Sequence, residues 1–225
     1  MPNDERPNHE RTKPNRPRQV RAQVTQAAII QAAATVFAQR GYARATLDVV
    51  AVEAGVTKGA LYFHFSSKHD LANAVIHEET RLTGKRLRNV LAEGLPGLAT
   101  MIRLHADFTR QLLSDVVVAA GVKLTTEELV AHLDIELPYG SWQKVLHSLV
   151  VKAIQEGDIR ADLDPAILTR YLIGAYTGVE IVSNSLHGRA DLYERVRQMW
   201  QIVLPAVVPT DRLEACLGLP DLIGP

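Results

Sequence analysis

The sequence predicts an all-α protein in two parts: a three-helix head near the N-terminus and a larger helical body, about nine to ten helices in all. Apolar residues recur at helical spacing through most of the chain, as Ile30, Ala33, Ala34 and Phe37 do at i, i+3, i+4 and i+7. No segment sustains the two-residue alternation of a half-buried strand. Capping residues, glycines and prolines fall between the periodic stretches, and no unit repeats.

Taken in order, residues 1–19 are rich in Pro, Asn and Arg and nearly free of apolar side chains. They predict a disordered basic arm, because they bury too little surface to offset the entropy of ordering. Helical periodicity starts near Val20 and stops at Arg40-Gly41, a cation on the last turn followed by a residue free to take positive φ. Thr46 is placed to cap a second helix with the stripe Leu47, Val50, Ala51 and Ala54. Gly55 supplies a turn, and Thr57 caps a short third helix with Val56 and Leu61 spaced as a hydrophobic staple. Ser66-Ser67-Lys68 opens a long helix to about Ala92, which Gly94-Leu-Pro-Gly97 breaks. Further helices are expected over 97–113, 116–123, 125–134, 139–156, 165–186 and 191–208; Asp164-Pro165 marks one start. The domain reading is thus an arm (1–19), a helix–turn–helix head (20–67), a body (68–215) and a flexible tail (216–225).

Charge is distributed unevenly although the total is zero. Residues 11–68 carry nine Lys/Arg against Asp48 and Glu53, whereas residues 71–225 carry 15 basic and 19 acidic residues. A basic head on an acidic body concentrates positive potential at one end of the molecule. No apolar run reaches the roughly 18 residues of a membrane span, and the polar N-terminus has no apolar core of a secretory signal. Cys216 is the sole cysteine, which fits a reducing cytoplasm.

The third helix carries the chemistry. At about 100° per residue, Leu61 and Phe65 share an inward face while Gly59 and Phe63 point out, with Tyr62 and His64 on the flanks. An outward Phe is costly unless something covers it, and a thymine methyl in the major groove is such a surface. Gly59 and Ala60 leave no bulk where the backbone would approach a phosphate. Lys58 in the first turn opposes the helix dipole until an anion arrives. Tyr62, His64 and Lys68 can donate to phosphate oxygens, and Arg44, Thr46 and Thr57 lie where the helix pair would meet the DNA backbone.

Enzymatic function finds little support. No phosphate-binding glycine loop or HExxH pattern is present. His77-Glu78-Glu79 is the nearest approach to a metal cluster, and adjacent helical residues point apart. No cofactor or metal is expected.

Ala54-Gly-Val-Thr-Lys-Gly-Ala-Leu-Tyr-Phe-His-Phe-Ser-Ser-Lys68 closely resembles the helix–turn–helix of the TetR transcriptional regulators, over roughly residues 22–70. The body resembles the γ-butyrolactone receptors of actinobacteria through Val116–Leu124, Trp142 and Tyr176–Ser183, although Glu180 stands where a neutral amide is expected. The resemblance implies a homodimeric cytoplasmic repressor that grips palindromic double-stranded DNA and is released by a small lactone or furan. It favours Trp142 as a ligand wall over a core tryptophan. Thr177 and Glu180 are candidate polar anchors, Glu180 alternatively a solvated or interface carboxylate. Phe108, Leu112, Val116, Val150 and Ile154 are candidate lining. Gly174, Gly178 and Val182 with Met199, Ile202 and Val203 form a candidate self-complementary dimer face, with packing inside the chain as the alternative. A multidrug-efflux repressor of the same fold, or a receptor-like regulator answering an antibiotic, remains the competing reading.

Overall fold

The computed structural model describes residues 16–126 and 139–224. Their regular elements are all helical: α1 (Arg16–Arg44), α2 (Leu47–Glu53), α3 (Lys58–His64), α4 (Lys68–Ala92), α5 (Gly97–Ser114), α6 (Val116–Thr126), α7 (Tyr139–Gln155), α8 (Pro165–His187), α9 (Leu192–Val207), α10 (Leu213–Cys216) and a closing 3-10 turn at Leu219–Leu222. The expected helix over 125–134 lies mostly outside the described residues, and α6 runs unbroken through its first two positions.

Two boundaries differ from the sequence reading. Helix α1 starts at Arg16, inside the stretch expected to be a disordered arm; residues 1–15 lie outside the description. Proline in a first helical turn loses no intrahelical bond, so Pro17 does not bar this start. The tail read as flexible is packed: Cys216 and Ile223 are buried, and Arg197 Nη2 donates to the Ile223 carbonyl at 2.7 Å. Its apolar residues are too few to show a period, yet enough to fill a groove beside α5 and α9.

In the head, local signals act as their chemistry predicts. Thr46 and Thr57 accept from the backbone N–H groups of Val49 and Ala60 at 3.4 and 3.1 Å. Gly55 takes φ +63, Gly55 N–H reaches the Val52 carbonyl and Val56 N–H the Ala51 carbonyl, which together close α2 with a Schellman motif. Gly41 breaks α1 at φ 72, ψ 166, where the stop was expected.

The buried residues form two clusters. The body cluster joins α5, α7, α8 and α9 around Met101, Ile102, Val150, Leu172 and Trp200. The head cluster holds Ile29, Val36, Phe37, Val50, Leu61 and Phe65, and draws Leu71, Val75 and Ile76 from α4 and Val117, Ala120 and Leu124 from α6. Helices α4 and α6 therefore belong to the head's core as much as to the body.

Candidate DNA-binding surface, cavity and interface face

The turn set by Gly55 fixes how α3 is displayed. Leu61 and Phe65 are buried against α1 and α2, so the opposite side of this short helix must face outward. Phe63 is 77% exposed, Tyr62 is half exposed, Gly59 is exposed and His64 lies partly covered on the flank. Arg44, Thr46 and Thr57 are exposed on the same end of the molecule, while Ala60 is partly buried.

The two lysines are less free than their sequence suggests. Lys58 Nζ pairs with Asp48 Oδ2 at 2.6 Å, and that hydrogen bond holds its ammonium above its ordinary range. Both partners are exposed, so the pair is readily exchanged for another anion. Lys68 departs further from expectation. Its Nζ donates to the carbonyls of Tyr42 and Ala45 at 3.0 and 3.2 Å and stands 4.3 Å from the Tyr42 ring centroid. The carbonyls freed where α1 breaks at Gly41 thus claim the Lys68 donors, and this lysine ties α4 to the head instead of reaching outward.

A cavity of about 110 Å³ lies in the body, lined by Glu79 of α4, Leu104, His105 and Phe108 of α5, Val122 and Thr125 of α6, Trp142 and Leu146 of α7, and Ile173, Tyr176, Thr177 and Glu180 of α8. It is several times the space one water needs, too large for a packing defect. Its walls are mostly apolar and aromatic. Phe108 lies 5.6 Å from Trp142 and 5.7 Å from Tyr176 between ring centroids, and Tyr176 stacks on His105 at 4.8 Å.

Of the sequence candidates, Trp142, Thr177, Glu180 and Phe108 line this cavity. Leu112 and Val150 do not: both are buried in the body core. Ile154 packs against that core, and Val116 against the head cluster. Their apolar character is real, but the helix phase turns them to other neighbours.

The polar groups of the cavity are mostly engaged. His105 Nδ1 accepts from Trp200 Nε1 at 3.0 Å, and burial drives the imidazole's pKa down to about 4, so it is neutral. The Tyr176 hydroxyl pairs with Thr109 Oγ1 at 3.0 Å, and burial pushes its ionisation up. Glu180 is neither solvated nor a free anchor. Arg189 grips its Oε1 at 2.7 Å from the left-handed turn after α8, where Arg189 itself has φ 68. The exception is Glu79. It is buried with no Lys, Arg or His within ion-pair distance among the described residues, and desolvation raises its pKa to about 7. Sequence reading weighed Glu79 only as a metal ligand. The available signal was its phase: Ala72, Val75, Ile76, Glu79 and Thr83 form one buried stripe of α4.

The outer face of α8 is apolar and uncovered in the single chain. Gly174, Gly178 and Val182 lie on it, continued by Ile167, Tyr171 and Ile181 and joined by Ile202 of α9. Met199 and Val203, expected on this face, are instead buried in the chain's own core, one phase step away from Ile202. Among the described residues, no helix is long and apolar enough to cross a membrane, and no three metal-ligating side chains cluster.

Residues 29–75 match the bacterial regulatory proteins of the tetR family, and residues 95–209 match the tetracyclin repressor-like C-terminal domain. The chain belongs to the TetR family of bacterial regulators, whose members are transcriptional regulators and not enzymes. Within the family it is similar to the γ-butyrolactone receptors. It is 33% identical over 174 residues to the A-factor receptor protein of Streptomyces griseus, covering 77% of this chain and 60% of that protein, so it spans less than two thirds of that relative. A γ-butyrolactone receptor described as ArpA-like superposes with a TM-score of 0.76 at 29% identity, over 90% of this chain and 97% of that one. The TetR family protein CprB of Streptomyces coelicolor, solved with its operator sequence, gives 0.81 at 30% identity over 91% and 99%. Regulators of this family bind operators as dimers and take small-molecule ligands.

Proposed function

We propose that this protein is a cytoplasmic homodimeric repressor that occupies a palindromic operator and leaves it on binding a γ-butyrolactone, butenolide or furan signal, so controlling antibiotic or other secondary-metabolite genes. The observation that carries the reading is the aromatic cavity framed by Phe108, Trp142 and Tyr176, walled by the same two helices, α4 and α6, that complete the head's core. An apolar chamber with few polar groups suits a small, mostly neutral ligand. Arg44, Thr46, Thr57, Lys58, Gly59, Ala60, Tyr62, Phe63 and His64 present the operator surface, Lys58 exchanging Asp48 for a phosphate. The exposed α8 face, through Gly174, Gly178, Val182 and Ile202, pairs two chains so that both heads enter successive major grooves about 34–36 Å apart.

Release follows when the ligand prefers a spacing that no longer fits. A thousandfold loss of occupancy requires roughly 4 kcal/mol of preference for the DNA-free state. The test is a gel shift on palindromic promoter fragments titrated with a panel of γ-butyrolactones, butenolides and furans. Release by cationic dyes alone would instead indicate a multidrug-efflux repressor. Trp142→Ala should keep operator binding and blunt release; a variant that responds normally removes Trp142 from the ligand wall.

A further inference from the structure

The cavity and the head's core share two helices, α4 and α6, and one close contact joins these helices beside the cavity. Glu79 lines the cavity from α4, and its aliphatic stem lies directly on Gly121 of α6. A Cβ at position 121 would stand 2.5 Å from Glu79 Cβ and 2.6 Å from Glu79 Cγ, a separation that non-bonded carbons do not reach. Only a hydrogen fits between the two helices here. On its head-facing side, α6 buries Val117, Ala120 and Leu124 among the head's residues, and Lys123 Nζ donates to the Ala38 carbonyl of α1 at 2.8 Å. Any shift of the Glu79 stem toward Gly121 therefore presses on a helix fixed to the head at four points.

The chemistry of Glu79 suits a reader of ligands. Its carboxyl has only hydroxyl companions from its own helix: Thr80 Oγ1 donates to Oε2 at 3.3 Å, and the Thr83 hydroxyl also lies against it. The charged and titratable groups around it are committed elsewhere: His105 of α5 to Trp200, Tyr176 of α8 to Thr109, Glu180 of α8 to Arg189, Lys123 of α6 to Ala38, and Glu78 of α4 to Arg81. A carboxyl buried without a cation keeps its proton easily, and a protonated carboxyl donates one hydrogen bond.

We propose that Glu79 reads the effector, donating to a carbonyl oxygen of the ligand, and that Gly121 is the point where this engagement is passed to the DNA head. The proposal rests on the effector reading of the cavity for the ligand, but not for the contact itself. A ligand bound at Glu79 fixes the side chain in a position that wedges α4 from α6, and α6 carries α1 with it.

The test uses the full-length protein and a duplex selected from random DNA by the wild type, with affinity read by fluorescence anisotropy. Gly121→Ala places a methyl where the Glu79 stem lies and should mimic the wedge, weakening DNA binding about tenfold or more without any effector. Adding Glu79→Gly to Gly121→Ala removes both stem carbons that the new methyl would meet and should return affinity to within about twofold of wild type. Glu79→Ala alone should bind DNA normally but ignore the lactone, butenolide and furan panel, whereas Glu79→Gln, which keeps a donor, should still respond. Wild-type affinity in Gly121→Ala overturns the proposal, as does a double variant as weak as Gly121→Ala. If Gly121→Ala fails to fold, a soluble Glu79→Ala that releases like the wild type overturns it equally. Failure of every panel member to release the wild type would count against the ligand class, while the effector-free measurements still decide the contact.

Discussion

The α2–α3 unit and the effector cavity are assembled from opposite kinds of sequence information. The residues that shape and display the first lie between Arg44 and Lys68: two threonine caps, a glycine turn, an inward pair and an outward aromatic. The cavity gathers Glu79, His105, Val122, Trp142 and Tyr176 from five helices spread over some hundred residues of sequence. Exposed polar groups in the head keep water or one another as partners. Around the cavity, the buried His105, Tyr176 and Glu180 have lost water and depend on one specific neighbour each. A head surface can therefore change residue by residue, whereas His105 and Tyr176 of the cavity are committed by Trp200 and Thr109, residues far away in the chain.

The comparison is broken most directly by asking whether the two regions fold separately. Because α4 and α6 contribute to both clusters, damage to the head should unfold the body with it. Phe37→Ala should cost about 3–5 kcal/mol. Both tryptophans, Trp142 and Trp200, lie in the body, so their fluorescence reports the body alone while far-UV circular dichroism reports all helices. Coincident urea transitions at a lowered midpoint are expected. A helical loss that leaves tryptophan fluorescence unmoved would mean two independent domains.

The next largest effect concerns pH and belongs to the cavity alone. Folding raises the Glu79 pKa from an ordinary 4.5 to about 7, so the unfolded chain releases this proton first. Stability from this group is complete below pH 4.5 and is lost as pH rises through about 7. Removing the titration by Glu79→Gln should stabilise the protein by about 3 kcal/mol at pH 8 and hardly at all at pH 4. His105 has the opposite sign. Its folded pKa of about 4 lies below the ordinary 6.5, so its contribution is present above pH 6.5 and fades as pH falls toward 4. Melting temperatures of wild type and Glu79→Gln across pH 4–8 give the check; parallel curves would place Glu79 in an ordinary environment.

Legibility in the sequence follows the same division. Thr57, Gly55 and Phe63 could be placed because capping, left-handed turns and a 100° helical step act over a few residues. Trp142 was preferred as a wall only through the family resemblance, because a buried aromatic fills a core as readily as it lines a cavity, and Phe108 was named on its apolar character alone. Leu112 and Val150 were misplaced because an apolar residue looks the same beside a cavity as inside a core. Met199 and Val203 were assigned outward with Ile202 because the phase of α9 is set by its partners, not by its own sequence. Arg189 escaped notice, since its value to Glu180 appears only when the turn after α8 folds back. Lys68 read as a DNA contact because nothing local shows that a broken helix end 23 residues earlier will take its donors.

On the head, the effects expected are smaller and separable. Thr57→Ala removes the acceptor for the Ala60 N–H and should cost about 1 kcal/mol in chemical denaturation. Because the cap also fixes the angle of α3, operator affinity should fall more than that loss of stability would explain. An affinity change no larger than the fraction unfolded would show that α3 is positioned by Leu61 and Phe65 alone.

The smallest structural effect and the clearest functional one meet at Lys58. Its pair with Asp48 is fully exposed, so neither Lys58→Ala nor Asp48→Asn should shift the melting temperature measurably. Their effects on DNA should nevertheless be opposite. Lys58→Ala removes a cation and should reduce the salt dependence of binding, the slope of log K against log salt, by about one. Asp48→Asn removes the competing anion, leaving Lys58 free before DNA arrives, and should tighten binding while keeping or steepening that slope. If Asp48→Asn weakens binding as Lys58→Ala does, the pair itself orients α3, and Lys58 acts as a brace within the head instead of a contact to phosphate.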